Sequence, residues 1–126
     1  MIKAMLDTNI LIYIYKNHPP AVVEQLKKFR RGEIVVSSIV WAEFSVGLHK
    51  LKVDGRQIGQ LIDVLPFDQV AGDVFGRLSA KYPDRAQGFD RLIAAHAIAV
   101  GVKLVTNNTA DFAPYLNDGL AVENWA

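Results

Sequence analysis

The sequence predicts an α/β fold, a small central parallel β-sheet flanked by helices in three layers. Short apolar or β-branched stretches alternate with helix-length stretches of 3.6-residue periodicity, and strands separated by helices argue for a parallel sheet covered on both faces. Helical residues also outnumber strand residues, which favours a small α/β sandwich. The first strand ends in Asp7, directly before a helix, so a carboxylate stands at the carboxyl edge of the sheet, where open α/β sheets bind ligands.

Ile2 to Leu6 is an apolar run broken only by Lys3 and reads as a short buried strand. Residues 8–17 carry Ile10, Leu11 and Ile14 at helical spacing and stop before His18-Pro19-Pro20, because a residue preceding proline is pushed out of the helical region. Residues 20–31 form a second helix, with Val22, Val23, Leu26 and Phe29 on one side and Lys27, Lys28, Arg30 and Arg31 towards the other; Gly32 ends it. Ile34-Val35-Val36 is a β-branched strand, and Ser37-Ser38 caps a helix over 39–51 whose stripe is Ile39, Val40, Phe44, Gly47, Leu48 and Leu51. Residues 54–63 make a helix through Ile58, Leu61 and Ile62, followed by a strand at Val64-Leu65 that Pro66 closes. Residues 68–81 form a helix carrying Val70, Val74, Phe75 and Leu78, and a loop runs from Tyr82 to Gly88. Residues 90–100 are a dense helix ended by Gly101, and residues 102–106 are a strand. Asn107 to Ala110 reads as a turn, and a last short strand lies near Leu120-Ala121-Val122.

At 126 residues the chain is expected to be one domain, 1–126, long enough to bury a core. Hydrophobic residues make up 51%, which argues against disorder. With 14 basic and 13 acidic residues the net charge is +1, so no strong nonspecific attraction to nucleic acid is expected, although a local basic face around an acidic centre is compatible with it. The absence of cysteine excludes a disulfide framework, a thiolate zinc site and a catalytic thiol, and fits a cytoplasmic protein. No apolar run approaches a membrane span, and the first residues lack the pattern of a secretory signal.

Taken alone, Asp7 reads more readily as a helix N-cap than as a ligand, since Asp, Thr and Asn all cap well. Three further acids change that balance. Glu43 has Ile39, Val40 and Gly47 one turn away on its helix, so it faces inward or lies at the edge of the apolar stripe, where an unpaired carboxylate is costly. Either a basic partner or a metal must compensate it. Asp90 has Ile93, Ala94 and Ala97 on its side of the helix; by itself it is equally a first-turn acid favoured by the helix dipole, but the small residues Ala94, Ala95 and Ala97 let that helix approach the sheet closely. Asp111 follows the strand 102–106, and reaches the region of Asp7 if that strand and residues 2–6 are parallel neighbours; its ordinary reading is a solvated turn acid. Hard cations take oxygen ligands, and a carboxylate cluster without His or Cys ligands suits phosphodiester hydrolysis by metal-activated water.

Leu6-Asp7-Thr8-Asn9-Ile10-Leu11 resembles the opening motif of the PIN-domain ribonucleases. Ser37 to Gly47 resembles their second motif, Asp90 to Ala97 the third and Leu104 to Phe112 the fourth. The motifs run in order over nearly the whole chain, and the closest likeness is to the VapC-type toxins of toxin–antitoxin pairs. The resemblance implies a PIN-like fold and a metal-dependent endoribonuclease that cuts structured RNA, often tRNA, and so arrests translation. It implies Mg²⁺ or Mn²⁺ held by Asp7, Glu43, Asp90 and Asp111, a homodimer, and a cognate DNA-binding, VapB-like antitoxin whose C-terminal segment covers the acidic pocket. Thr8, Asn9, Thr106 and Asn107 are the expected supporting polar residues, with Thr8 or Asn9 capping the helix while Asp7 faces the ion. Lys16, Arg85 and Arg91 are candidates to hold the RNA backbone. The stretch Pro83 to Phe89 departs from the family pattern, which often has more glycine and an aliphatic residue before the third acid.

Other residues have plainer readings. His96 is a packed or hydrogen-bonded core histidine rather than a ligand, His18 and His49 are surface residues, and Trp41 and Trp125 are packing or dimer contacts. A haloacid-dehalogenase-type phosphatase wants an Asp where Asn9 stands, a response-regulator receiver wants adjacent acids upstream of the phosphorylated Asp, and no Gly-Lys-Ser/Thr phosphate loop is present. The remaining alternative is a catalytically silent PIN module that binds RNA or protein, against which the four acids argue.

Overall fold

The computed structural model describes residues 1–83 and 88–126. Its strands are β1 (Ala4–Leu6), β2 (Ile34–Ser37), β3 (Asp63–Leu65), β4 (Lys103–Val105) and β5 (Val122–Glu123). They form one sheet in the order β3-β2-β1-β4-β5, with every neighbouring pair parallel. The helices are α1 (Thr8–Lys16), α2 (Pro20–Leu26), α3 (Ser38–Leu51), α4 (Arg56–Leu61), α5 (Gln69–Lys81), α6 (Asp90–Val100) and α7 (Thr109–Phe112), the last continued by a 3₁₀ segment, Ala113–Asp118. No helix among the described residues is long and apolar enough to cross a membrane.

β1 is the central strand. Leu6 is in register with Val36 on one side and Val105 on the other, and Ala4, Met5 and Leu6 are all fully buried. An uninterrupted apolar run is what a parallel strand covered on both faces requires. From β1 the chain steps to β2 and then β3, whereas from β4 it steps the opposite way to β5. Right-handed crossovers therefore place α1–α4 on one face of the sheet and α5–α7 on the other. The direction of winding reverses between β1 and β4, and that reversal opens a crevice at their carboxyl ends. The Asp7 amide donates to the Val105 carbonyl at 2.8 Å and seals the two strand ends together below it.

Local chemistry sets the helix boundaries. Ser37 caps α3, its Oγ accepting from the Ile39 amide at 3.1 Å. The same hydroxyl is 2.7 Å from Nδ1 of His96 in the middle of α6, so one buried serine ties a strand end, a helix start and the opposite layer together. His96 is 2% exposed and meets the Phe67 ring edge-on, as a core histidine; burial holds its imidazole below the usual pKa. Gly101 ends α6 at φ 81°, a backbone conformation that costs glycine little.

Several boundaries differ from expectation. α2 stops at Leu26 rather than residue 31: Lys27 to Phe29 continue only as turns. α4 is confined to Arg56–Leu61, because Ile62 turns extended to enter β3. β4 ends at Val105 and β5 lies at Val122–Glu123; of the turn expected at Asn107–Ala110, Asn107 and Asn108 remain outside any helix while Thr109 and Ala110 open α7. Val70 and Leu51, assigned to apolar stripes, are 58% and 70% exposed. The loop expected from Tyr82 to Gly88 has residues 84–87 outside the described residues.

Replacing Ser37 by alanine removes a helix cap and leaves a buried histidine without its partner. Urea unfolding of Ser37→Ala is expected to show a loss of about 1–3 kcal/mol with an unchanged denaturant slope.

Candidate active site

The crevice at the β1–β4 reversal holds Asp7. It is 5% exposed, and its hydrogen-bond donors among the described residues are neutral. Oδ1 accepts from the Thr8 amide at 2.8 Å; Oδ2 accepts from the Thr106 hydroxyl at 2.8 Å and from Asn9 Nδ2 at 3.2 Å. Asp7 is therefore itself the N-cap of α1, and the expectation that Thr8 or Asn9 would cap the helix is corrected: both residues lie inside its first turn, with their side chains turned to the acids. Capping and site-building are compatible, because the carboxylate that accepts from the helix start still has one lone-pair site on Oδ1 unfilled by the described residues. Burial pushes the Asp7 pKa up; the bonds from Thr106, Thr8 and Asn9 oppose it, and the charge of Asp111 adds to it, with a net upward result.

Glu43 comes from α3 and is half-buried at the edge of that helix's apolar stripe. Its Oε1 accepts from the Thr8 hydroxyl at 2.7 Å, so Thr8 joins two acids, Asp7 through its amide and Glu43 through its side chain. Burial raises the Glu43 pKa, and Asp7 raises it further. Asp90 opens α6, where the helix dipole favours its charge. Its pKa is nevertheless pushed up to about 6, first by burial, then by Asp7, Asp111 and Glu43. Asp111 is exposed in the first turn of α7 rather than in a turn, and its charge reaches both Asp7 and Asp90. The fold thus brings Asp7, Asp90 and Asp111 within electrostatic reach of one another, and Glu43 within reach of Asp7 and Asp90. Among the described residues none of the four forms a salt bridge with a lysine or arginine. A basic partner, the plainer explanation for an inward Glu43, is replaced by a threonine hydroxyl.

The supporting residues are assembled from both ends of the chain. Thr106 is fully buried; its Oγ1 donates to Asp7 and accepts from the Asn108 amide at 3.0 Å. Asn9 Oδ1 accepts from the Asn107 amide at 3.1 Å. Asn107 acts one step further out, donating through Nδ2 to the Tyr13 hydroxyl at 3.0 Å and accepting from Asn124 at 3.3 Å. Tyr13 and Asn124 have no role in the sequence reading, where Tyr13 is part of an apolar helix, whereas Asn108 is read there, with Thr106 and Asn107, as satisfying the turn or holding water or a phosphate.

The candidate RNA-contacting cations separate. Lys16 is exposed at the end of α1, lining a cavity of about 180 Å³ with Glu43 at one side. Arg91 is not an RNA contact: it is 6% exposed and donates to Tyr115 Oη, Ser79 Oγ and the Tyr82 carbonyl. Being next to Asp90 on a helix turns it about 100° away, into the layer between α5 and α6. Arg85 and most of the altered stretch before Asp90 lie outside the described residues. Trp125 stacks on Phe29 at 5.7 Å and Trp41 lies against Phe44, both as packing residues, while His18 and His49 are exposed.

A set of carboxylates without soft ligands matches Mg²⁺ or Mn²⁺ in donor type, and the upward pressure on the pKa values of Asp7, Glu43 and Asp90 is what a cation would relieve. Like charges also resist crowding: among the described residues no three acidic or histidine side chains form a ready-made metal-holding group.

The PIN domain family model matches residues 4–114. The tRNA(fMet)-specific endonuclease VapC of Shigella flexneri is 34% identical, with all of both chains covered. Ribonuclease VapC2 of Haemophilus influenzae is 35% identical over 99% of each chain. Among solved structures, VapBC2 of Rickettsia felis bound to a DNA fragment from its promoter matches with a TM-score of 0.80 at 32% identity over the full length of both chains. DNA-bound VapBC of Salmonella typhimurium matches with a TM-score of 0.79 at 27% identity, also at full coverage.

The raised Asp90 pKa has a sign for stability. Between the ordinary carboxylate range and about pH 6 the folded chain holds a proton that the unfolded chain has lost, so stability falls as pH rises through that window. Asp90→Asn is expected to be more stable than the wild type at pH 7.5, by on the order of 1 kcal/mol after discounting for the partial exposure of Asp90. The gain should shrink towards pH 4, and urea unfolding at the two pH values measures it.

Proposed function

This chain belongs to the PIN-domain family, among the VapC ribonucleases, and from that premise we propose that it is the toxin of a toxin–antitoxin pair. It is an endoribonuclease that hydrolyses structured RNA, tRNA foremost, and so stops translation. The observation that supports this reading is the Asp7 carboxylate at the sheet's winding reversal, tied to Thr106 and through Thr8 to Glu43, with Asp90 and Asp111 within electrostatic reach of it.

In this reading Asp7, Glu43, Asp90 and Asp111 would hold Mg²⁺ or Mn²⁺. A divalent ion there supplies Lewis acidity, activating water at neutral pH and offsetting charge on the phosphoryl oxygens. The chain's own residues do the rest. Asp7 is pinned by three donors and cannot swing, so it is the fixed point of the site. Thr8 holds Glu43 at a set distance from it. Thr8 and Thr106 act as the outer partners that aim carboxylate ligands. Asp90 is mostly ionised at pH 7 and protonated below about pH 6. Lys16, exposed on a cavity that Glu43 also lines, would take an RNA phosphate.

The full-length match to chains of VapBC complexes supports a cognate VapB-like, DNA-binding antitoxin as the partner. A homodimer, a cytoplasmic location and a single functional unit over residues 1–126 belong to the same proposal.

Asp7→Asn, with its fold checked by circular dichroism, is expected to lose RNA cleavage by about 100-fold or more and to lose toxicity on induction. EDTA should abolish cleavage by the wild type, and Mg²⁺ should restore it. Retained cleavage by the variant, or cleavage indifferent to EDTA, overturns the assignment. Mn²⁺ affinity by calorimetry should weaken between pH 7.5 and pH 5.5, because protons compete for Asp90 across that interval.

A further inference from the structure

Among the described residues no hydrogen bond or ion pair joins Asp90 to Asp111. Asp111 lies in a four-residue helix with no side-chain cap, too short to hold itself. Its charge acts on Asp90 and Asp7, so repulsion tends to push α7 away from the site. What holds it is the run behind it: Phe112 and Tyr115 are both fully buried. Tyr115 accepts from Arg91 Nε at 3.3 Å, and Arg91 is the residue next to Asp90. The same guanidinium donates to the Tyr82 carbonyl at 2.7 Å and to Ser79 at 3.1 Å. Tyr82 closes the frame, its hydroxyl bonding Pro114 O at 3.1 Å and Asp118 at 2.7 Å, with its ring edge-on to Tyr115 at 5.8 Å. Asp118 in turn takes Lys81 Nζ at 2.7 Å. One buried arginine therefore links the start of α6 to the segment that follows Asp111.

We propose that Arg91, with Tyr115 and Tyr82, is a positioning residue that sets the spacing between Asp90 and Asp111 and thereby the affinity of the crevice for a divalent cation. The inference rests on the metal-site reading above. Arg91 touches neither acid through its guanidinium; it acts by fixing the two elements that carry them. Its bond to Ser79 runs to α5, away from Asp111, and serves as an internal control.

The test compares Tyr115→Phe with Ser79→Ala in the full chain. Each removes one partner of Arg91, but only the first removes its direct bond to the segment that follows Asp111, leaving the route through Tyr82 in place. The readouts are Mn²⁺ binding by calorimetry and the Mg²⁺ dependence of RNA cleavage. Tyr115→Phe is expected to raise the metal concentration at half-saturation about tenfold, with cleavage recovering at saturating Mg²⁺, while Ser79→Ala stays within about twofold of the wild type. Should Tyr115→Phe not fold, Tyr82→Phe cuts the same frame at its other bond and should shift metal affinity in the same direction. A wild-type chain that binds Mn²⁺ alongside an unshifted folded variant, or equal shifts in Tyr115→Phe and Ser79→Ala, overturns this inference alone. A wild-type chain that binds no Mn²⁺ overturns the metal-site reading and this inference with it.

Discussion

The bond between the Thr106 hydroxyl and the Asp7 carboxylate joins residues 99 positions apart, and the rest of the site is arranged around it. It exists because β1 and β4 are parallel neighbours whose last residues, Leu6 and Val105, are in register. Asp7 and Thr106 are then adjacent by construction, each one step beyond a strand end. A slip of register would turn Thr106 to the other side of the sheet, so the pairing of two three-residue strands fixes the position of the central acid. Buried apolar contact keeps that pairing: Leu6, Leu104 and Val105 are all fully buried.

The acids around Asp7 run against the usual logic of stability. Burial and mutual repulsion raise the pKa values of Asp7, Glu43 and Asp90. Neutral donors offset part of the desolvation of Asp7 and Glu43, but they do not cancel charge as a basic partner would. Thr8, Asn9 and Thr106 orient the carboxylates while leaving the negative potential intact. That is suited to a cation, and unsuited to a site meant only to fold. The buried cation nearest in sequence, Arg91, is spent on Tyr115, Ser79 and the Tyr82 carbonyl, between the layers rather than in the crevice.

A division of labour follows. The face carrying Asp7 and Glu43 is tied directly, acid to threonine to acid. The face carrying Asp90 and Asp111 has no such bond among the described residues, and its order comes from the frame of Arg91, Tyr115 and Tyr82 behind it. Asn107 extends the first arrangement outward to Tyr13 and Asn124, so the strand end at β4 is also anchored to the chain's last residues.

Sequence alone was enough for the alternation of strands and helices, the parallel sheet and the positions of Asp7, Glu43 and Asp90, because each leaves a local mark: an apolar run, a 3.6-residue stripe, an acid set among apolar neighbours. Those marks placed Asp7 at a strand end, Glu43 at the edge of a packed stripe and His96 in the core. Helix ends were less legible, since α2 gives way to turns at Lys27 and α4 yields to an extended Ile62 through packing demands that no local signal carries. α7 was missed because a four-residue helix has no periodicity to show. The capping role of Asp7 was legible in the sequence and is borne out, but Thr8 as the bridge to Glu43 and Arg91 as an internal brace instead of an RNA contact were decided only by the tertiary structure. Each depends on which distant element arrives within about 3 Å of a hydrogen-bonding atom. Periodicity tells a side chain's face; only the packed layers decide what that face meets.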